Sequence, residues 1–106
     1  MLDQLIRQKN MTKADIVTEI SEQTGIEKVQ VQVTVEAFMK SVRNSLSRGD
    51  NVYLRGFGSF VVKKRAKKTG RNISKNTTII IPAHYIPAFK PSKSFVKAVK
   101  DKVKVD

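Results

Sequence analysis

The sequence predicts an α+β fold in a single small domain. Apolar residues recur at helical spacing in the first half of the chain, whereas the stretch from Val52 is rich in β-branched and aromatic residues. A further helical pattern follows near the carboxyl terminus. With 106 residues, the chain has room for one modest core, and this length excludes most multidomain enzymes.

The first predicted helix begins after Thr12. The hydroxyl of Thr12 can cap the first turn, and Asp15 can bond back to the cap residue. Ile16 and Ile20 share one face, and Gly25 is a typical helix stop. Residues 1–10 are predicted to be a poorly ordered extension, because so short a segment does not hold a helix without packing.

Residues 28–47 carry two conflicting patterns. Over residues 29–35, valines alternate with polar residues, which by itself indicates a strand. Apolar residues from Val31 to Leu46 also recur at helical spacing over four turns, with good helix formers between them. The longer pattern predicts a helix over residues 28–47, and Gly49 then interrupts the chain.

The second half begins with strand character at residues 52–62 and again at residues 77–81, where Pro82 closes the run. The segment between them is basic and contains turn-forming glycine and asparagine residues. We therefore predict a long β-hairpin arm at about residues 63–81. Ser92 can cap a last helix that carries Phe95 and two valines.

The formal net charge of +12 is concentrated in one half of the chain. Residues 51–100 contain 12 Lys or Arg and no Asp or Glu, whereas residues 1–50 contain seven of each sign. Such a block repels itself unless it meets a polyanion. Nucleic acid is the leading candidate partner, and an anionic membrane surface is the second. The alternative to a binding role is a basic face that is merely solvated.

Other features exclude several classes of protein. The chain has no cysteine, so it has no disulfide framework and no thiolate metal site, and a reducing compartment fits. The longest apolar run, at residues 79–83, is far shorter than the roughly 20 residues of a membrane span. There is no apolar signal core at the amino terminus. We therefore expect a soluble intracellular protein.

Catalytic chemistry has little support in the sequence. His84 is the only histidine, lies in a predicted loop, and has no carboxylate in its half of the chain. Gly56-Phe57-Gly58 lacks the lysine of a phosphate loop and the third glycine of a dinucleotide motif, so we interpret it as strand packing. We predict no enzymatic activity, no cofactor and no metal site.

The size of the core predicts a homodimer. Once the extension and the arm are set aside, the remaining body is small enough to be marginal alone. The second helix also carries apolar side chains on more than one stripe. A second copy of the chain could cover both surfaces.

The arm itself is expected to be basic on both sides. Along a strand, Lys63, Arg65 and Lys67 would share one face, and Lys64 and Lys68 would share the other. Such an arm could lie in a groove between two rows of phosphates. Exposed Ile73 fits two roles, which are packing within the turn and insertion as a wedge between base pairs.

Three motifs occur in order along the second half of the chain. They are Gly-Phe-Gly-Ser-Phe at residues 56–60, a basic arm ending in Thr-Gly-Arg-Asn at residues 69–72, and Ile-Pro-Ala through Pro-Ala-Phe-Lys-Pro at residues 81–91. With these motifs the chain resembles the HU and integration host factor family of bacterial nucleoid proteins over residues 11 to about 104. Residues 1–10 have no counterpart in the usual family pattern.

The resemblance implies an HU-like intertwined dimer. Each chain would contribute two N-terminal helices, a three-stranded antiparallel sheet with a long β-hairpin arm, and a short C-terminal helix. Residues 11–104 would form the DNA-binding domain, with an aromatic core of Phe57, Phe60 and Phe89. The arms would wrap double-stranded DNA and enter its minor groove, which implies a location in the cytoplasm at the nucleoid.

The resemblance and the basic block together predict the residues that contact DNA. They are Lys63, Arg65, Lys68, Arg71, Asn72, Ile73, Lys75, Arg55, Lys13, Lys90 and Lys93. The two helix starts are included because their free backbone N–H groups favour phosphate. The usual Arg-Asn-Pro tip of the family is Arg-Asn-Ile in this chain, and the resemblance implies that Ile73 is the intercalating residue.

The expected function is therefore architectural. We expect the protein to bind duplex DNA largely without sequence specificity and to bend and compact the chromosome. Two alternatives are a sequence-specific subunit like integration host factor, which could form a heterodimer with a paralogue, and an RNA-binding protein. The arm has no exposed aromatic residue for stacking on RNA bases, and its basic block is not a membrane-binding helix.

Overall fold

The structure is a computed structural model that describes residues 10–72 and 74–105. The described residues form three helices and five strands, which confirms the predicted α+β class. In chain order these are α1 (Lys13–Thr24), α2 (Lys28–Ser47), β1 (Val52–Leu54), β2 (Gly58–Arg65), β3 (Lys68–Asn72), β4 (Thr77–Ile81), β5 (His84–Pro91) and α3 (Lys93–Lys102). The chain divides into two compact units, of which the first ends at Ser41 and the second begins at Val42.

Helix α1 begins and ends at the predicted residues. The backbone N–H of Asp15 donates to Thr12 Oγ1 at 3.2 Å, and the N–H of Thr12 donates to Asp15 Oδ2 at 3.1 Å. Gly25 follows the helix with a left-handed φ of 77°, and its N–H donates to the carbonyl of Ser21. Both ends are local signals, because side chains and backbone within a few residues satisfy the terminal groups.

Helix α2 resolves the conflict in the valine-rich segment in favour of the predicted helix. Val31 is buried, whereas Val29 and Val33 are 71% and 62% exposed. Val17 and Val31, 3% and 4% exposed, are the only buried hydrophobic residues in the described part of the chain. The alternation of valines therefore does not mark a strand. Two of the four valines lie on the exposed side of the helix.

The three-stranded sheet is antiparallel, with strand order β1-β2-β5. Phe60 at its centre pairs with Val52 on one side and with Phe89 on the other. The loop predicted around His84 is wrong, because β5 begins at this residue. Pro87 is tolerated because β5 is an edge strand: the N–H of its partner Val62 points away from β5 and donates to Asn51 Oδ1 at 3.0 Å.

The predicted hairpin arm is interrupted near its base. Strands β3 and β4 form a separate two-stranded sheet, in which Lys68 pairs with Ile81. Residues 66–67 and, across from them, residues 82–83 lie outside the strands. Pro82 lacks the N–H that a ladder would need, which explains why the pairing stops on both sides at the same level. Residues 63–65 therefore belong to β2.

An aromatic cluster joins the sheet to α3. The ring of Phe89 lies 4.9 Å from that of Phe60 and 5.3 Å from that of Phe57, and Phe95 of α3 lies 5.3 Å from Phe57. These centroid distances are typical of favourable ring pairs. The implied aromatic grouping of Phe57, Phe60 and Phe89 is thus present, and Phe95 extends it.

The start of α3 is fixed to the turn before β2. Ser92 Oγ accepts from the N–H of Phe95 at 3.2 Å, as predicted for a cap, and donates to the carbonyl of Gly56 at 3.0 Å. The backbone N–H of Ser92 also donates to the carbonyl of Phe57. These bonds hold α3 at one end of the sheet. Among the described residues, no helix has the length and apolar character to cross a membrane.

Candidate nucleic-acid interface

The two faces of the three-stranded sheet differ in chemistry. Side chains alternate along each strand, so the register assigns Phe60, Val62 and Phe89 to one face. Phe95 of α3 packs against this face through Phe89, with ring centroids 6.0 Å apart. We call it the apolar face. Because α3 lies against it, the charged side chains of β2 and β5 other than Lys64 are presented on the opposite face of the sheet.

That opposite face gathers basic residues from two strands. Lys63 and Arg65 of β2 lie on it together with His84 and Lys90 of β5, and all four are exposed. Arg65 pairs directly with His84, and Ser59 pairs with Lys90. We call these four residues the basic face. Since residues 51–100 contain no carboxylate, nothing in this half of the chain neutralises it.

The basic character continues into the arm. In the β3-β4 register, Lys68 and Arg71 fall on opposite faces, so the arm carries cations on both sides. The Nη2 atom of Arg71 donates to Asn76 Oδ1 at 2.6 Å. Asn76 has a φ of 52°, which asparagine tolerates better than most residues in a turn. This bond fixes the guanidinium near the end of the arm.

The predicted alternation of basic side chains holds only within β2. Lys63 and Arg65 share the basic face, while Lys64 lies on the other side of the sheet, paired with Tyr85. The alternation then stops, because Lys67 lies between the strands and Lys68 begins a separate sheet. A single continuous strand, as assumed from the sequence, does not exist here.

The other predicted contact residues are distributed around these surfaces. Arg55 is exposed in the turn between β1 and β2, and Lys75 is exposed in the turn between β3 and β4. Lys93 is the first residue of α3. Asn72 ends β3 in the backbone, and Ile73 lies outside the described residues.

Lys13 already has a carboxylate partner in the first unit. Its Nζ atom donates to Glu36 Oε2 at 2.7 Å, and Gln32 donates to the same oxygen at 3.4 Å. The hydrogen bond from Lys13, that from Gln32 and the positive charge of Lys13 together lower the pKa of Glu36 below its usual value. A phosphate at Lys13 would have to compete with this exposed ion pair, which is weak in water.

Sequence reasoning missed the place of His84 on the basic face. It treated this residue as a lone imidazole in a loop, because Pro82 and Pro87 obscured the strand signal between them. The β-branched and aromatic residues Tyr85, Ile86 and Phe89 were the only strand signal, and the prolines outweighed it. With the register known, His84 becomes a neighbour of Arg65.

Comparison with known proteins shows the family to which this chain belongs. A family model described as "Bacterial DNA-binding protein" matches residues 11–100. The chain is 44% identical over 96 residues to DNA-binding protein HU of Thermus thermophilus, covering 91% of this chain and 95% of that one. It is 41% identical over 90 residues to DNA-binding protein HU of Staphylococcus aureus, covering 85% and 100% respectively.

Solved structures agree with the sequence relatives. The HU chain of an Anabaena HU-DNA cocrystal matches with a TM-score of 0.81 at 34% identity, covering 85% of this chain and 98% of that one. A V42I mutant of HU from Thermotoga maritima matches with a TM-score of 0.65 over 85% of this chain and 100% of that one; at 24% identity this similarity supports the fold. The fold is thus that of a small basic DNA-binding protein with a β-arm. The chain belongs to the family of bacterial DNA-binding proteins that includes HU, as the resemblance predicted.

Proposed function

We propose that the protein is an architectural DNA-binding protein that binds duplex DNA as a homodimer. Its basic face and arm meet phosphates, the arm enters the minor groove, and the duplex is bent and compacted at the nucleoid without any chemical step. The cost of bending DNA is offset by the larger surface that the bent duplex contacts. Binding is largely independent of sequence because phosphates carry no sequence information.

One observation carries this proposal above the others. Lys63, Arg65 and Lys90 come from two strands yet share one exposed face, and the basic arm follows in the chain as the separate β3-β4 sheet. The opposite face is apolar and packs against α3. Of the cations on β2 and β5, three thus lie on one face and only Lys64 lies on the other, and such a grouping suits a surface that follows a phosphate backbone.

The homodimer in this proposal is supported by an apolar surface that remains exposed in a single chain. The second unit has an open groove of about 470 Å³, lined by Phe89, Phe95, Val96 and Val99 among others. Val96 and Val99 are each 48% exposed, and Phe89 is 37% exposed. Apolar surface of this kind is normally buried against a partner. A second copy of the chain supplies a surface of matching chemistry.

The mass in solution tests the assembly. We expect light scattering at low micromolar concentration to give about 24 kDa, twice the chain mass of 11.9 kDa. The variant Val99→Lys, which places a charge in the apolar groove, is expected to weaken the dimer. The variant Tyr53→Lys changes an exposed residue outside the groove and serves as the matched control. A monomeric parent protein at this concentration contradicts the homodimer.

Bending tests the role of the arm tip. We expect Ile73→Ala to lower the induced bend while most of the affinity remains, because an apolar wedge deforms the base stack and the cations supply the attraction. End-to-end fluorescence transfer on a labelled duplex measures the bend, and a titration of the same duplex measures affinity. Equal bending by the variant and the parent protein would contradict the proposal that Ile73 intercalates between base pairs.

Competition between unrelated duplexes tests specificity. We expect several random duplexes of equal length to displace a bound duplex with similar efficiency, and nicked or prebent duplexes to bind more tightly, because less deformation energy is needed. One duplex that outcompetes the others by about a thousandfold would instead indicate a sequence-specific binder.

A further inference from the structure

His84 occupies an unusual position for the only histidine of the chain. It is exposed at the start of β5, and its register partner is Arg65 of β2. Lys63 lies one position further along the same face, opposite Ile86. An imidazole is thus placed beside two positively charged side chains.

A hydrogen bond fixes which ring nitrogen can face a ligand. Nδ1 of His84 lies 2.9 Å from the carbonyl oxygen of Pro82. A carbonyl oxygen only accepts, so Nδ1 carries the proton in the neutral ring and Nε2 carries a lone pair. Such a lone pair repels a phosphate oxygen. Once the ring gains a second proton, Nε2 becomes a charged donor and can bind the same oxygen.

We propose that His84 is a pH-dependent phosphate contact, which strengthens DNA binding when its imidazole is protonated. The proposal rests on the proposed DNA binding by the basic face. Histidine is the side chain whose ordinary charge change falls between about pH 5 and pH 8. Protonation of His84 would add one cation to the basic face of each chain, and two cations to a homodimer.

The charged groups that face His84 are all cations. From β2, Arg65 and Lys63 face it on the same side of the sheet, and Lys90 lies further along β5. Tyr85 lies on the other face, beside Lys64. No carboxylate of residues 51–100 is available to hold the imidazolium in the free protein. A DNA phosphate is therefore the anion that this position is suited to receive.

The experiment measures affinity for a random-sequence duplex at about pH 5.5 and about pH 8.0 over a range of salt concentrations. We expect the parent protein to bind roughly tenfold more tightly at the lower pH. The slope of log K against log salt should be steeper there by about 0.9 per added contact, or about 1.8 for two chains. His84→Gln removes the titrating charge, and His84→Lys makes the charge permanent.

The two variants distinguish His84 from other titrating groups. His84→Gln should show less than a twofold change with pH, and His84→Lys should bind tightly at both values. The amino-terminal amine also titrates in this range, but the parent and both variants share it. A parent and a His84→Gln variant with the same pH dependence overturn the proposal. Failure of the parent to bind DNA at either pH would instead overturn the proposed function.

Discussion

DNA binding by this protein is expected to weaken by about 10³- to 10⁵-fold when the salt concentration rises from roughly 50 to 200 mM. The reason is that a homodimer with ~6–10 phosphate contacts releases a similar number of counterions from DNA, and added salt opposes that release. The basic face and arm supply the cations without any carboxylate in residues 51–100. Fluorescence anisotropy of a labelled duplex over a salt series measures the effect, and a nearly flat series contradicts the mechanism.

Paired charge substitutions locate the contacts that produce this salt dependence. The double variant Lys63→Gln/Arg65→Gln removes two cations of the basic face from each chain. We expect it to reduce the magnitude of the salt slope by about 0.9 per lost contact, or about 3.6 in a homodimer. The matched control, Lys40→Gln/Arg43→Gln, makes the same change of charge on exposed residues of α2. Equal slopes for the two double variants would show that the basic face has no special role.

The second large effect is expected at Gly58, where β2 begins. A Cβ atom on this residue would lie 2.6 Å from the backbone oxygen of Lys90 and 2.6 Å from the ring of Phe89. The backbone oxygen is held in the β2-β5 ladder, so it cannot easily move away. We expect Gly58→Ala to lower the free energy of unfolding by about 3 kcal/mol, a large part of the stability of a small domain.

Gly56, two residues earlier, provides the control for this substitution. It has a φ of 81°, and a Cβ atom there would meet no atom within 4 Å. Gly56→Ala is therefore expected to lower the free energy of unfolding only by the backbone strain of a left-handed conformation, about 1 kcal/mol. Urea unfolding of both variants at one fixed protein concentration measures the difference, because the stability of a dimer depends on concentration. Equal losses would mean that the close approach to Lys90 is unimportant.

The helix boundaries could be predicted because their causes are local. Thr12 with Asp15 caps α1, Gly25 ends it, and Ser92 caps α3, each through groups only a few residues away. The helical nature of α2 was also predictable, because a periodicity that extends over four turns outweighs a short alternation. In each case the chain itself contains the partners that decide the structure.

Strand β5 could not be predicted from its residues, because the prolines at 82, 87 and 91 oppose strand formation. Pro87 and Pro91 are tolerated because β5 lies at the edge of the sheet, a property of the assembled sheet, and Pro82 lies just outside the strand. The break in the arm is likewise a joint property of residues 66–67 and 82–83, which face each other only after the hairpin has formed.

The sequence by itself determined the class of fold, the positions of the helices, and the concentration of positive charge in residues 51–100. Only the tertiary structure decided which cations act together. Lys63 and Arg65 are about twenty or more residues from His84 and Lys90 in the chain, yet the antiparallel register places them on one face. The alternation of side chains along one strand shows which of its residues share a face. It does not show which residues of a neighbouring strand lie on that face. That depends on the pairing of β2 with β5, which also changed His84 from an isolated loop residue into a neighbour of Arg65.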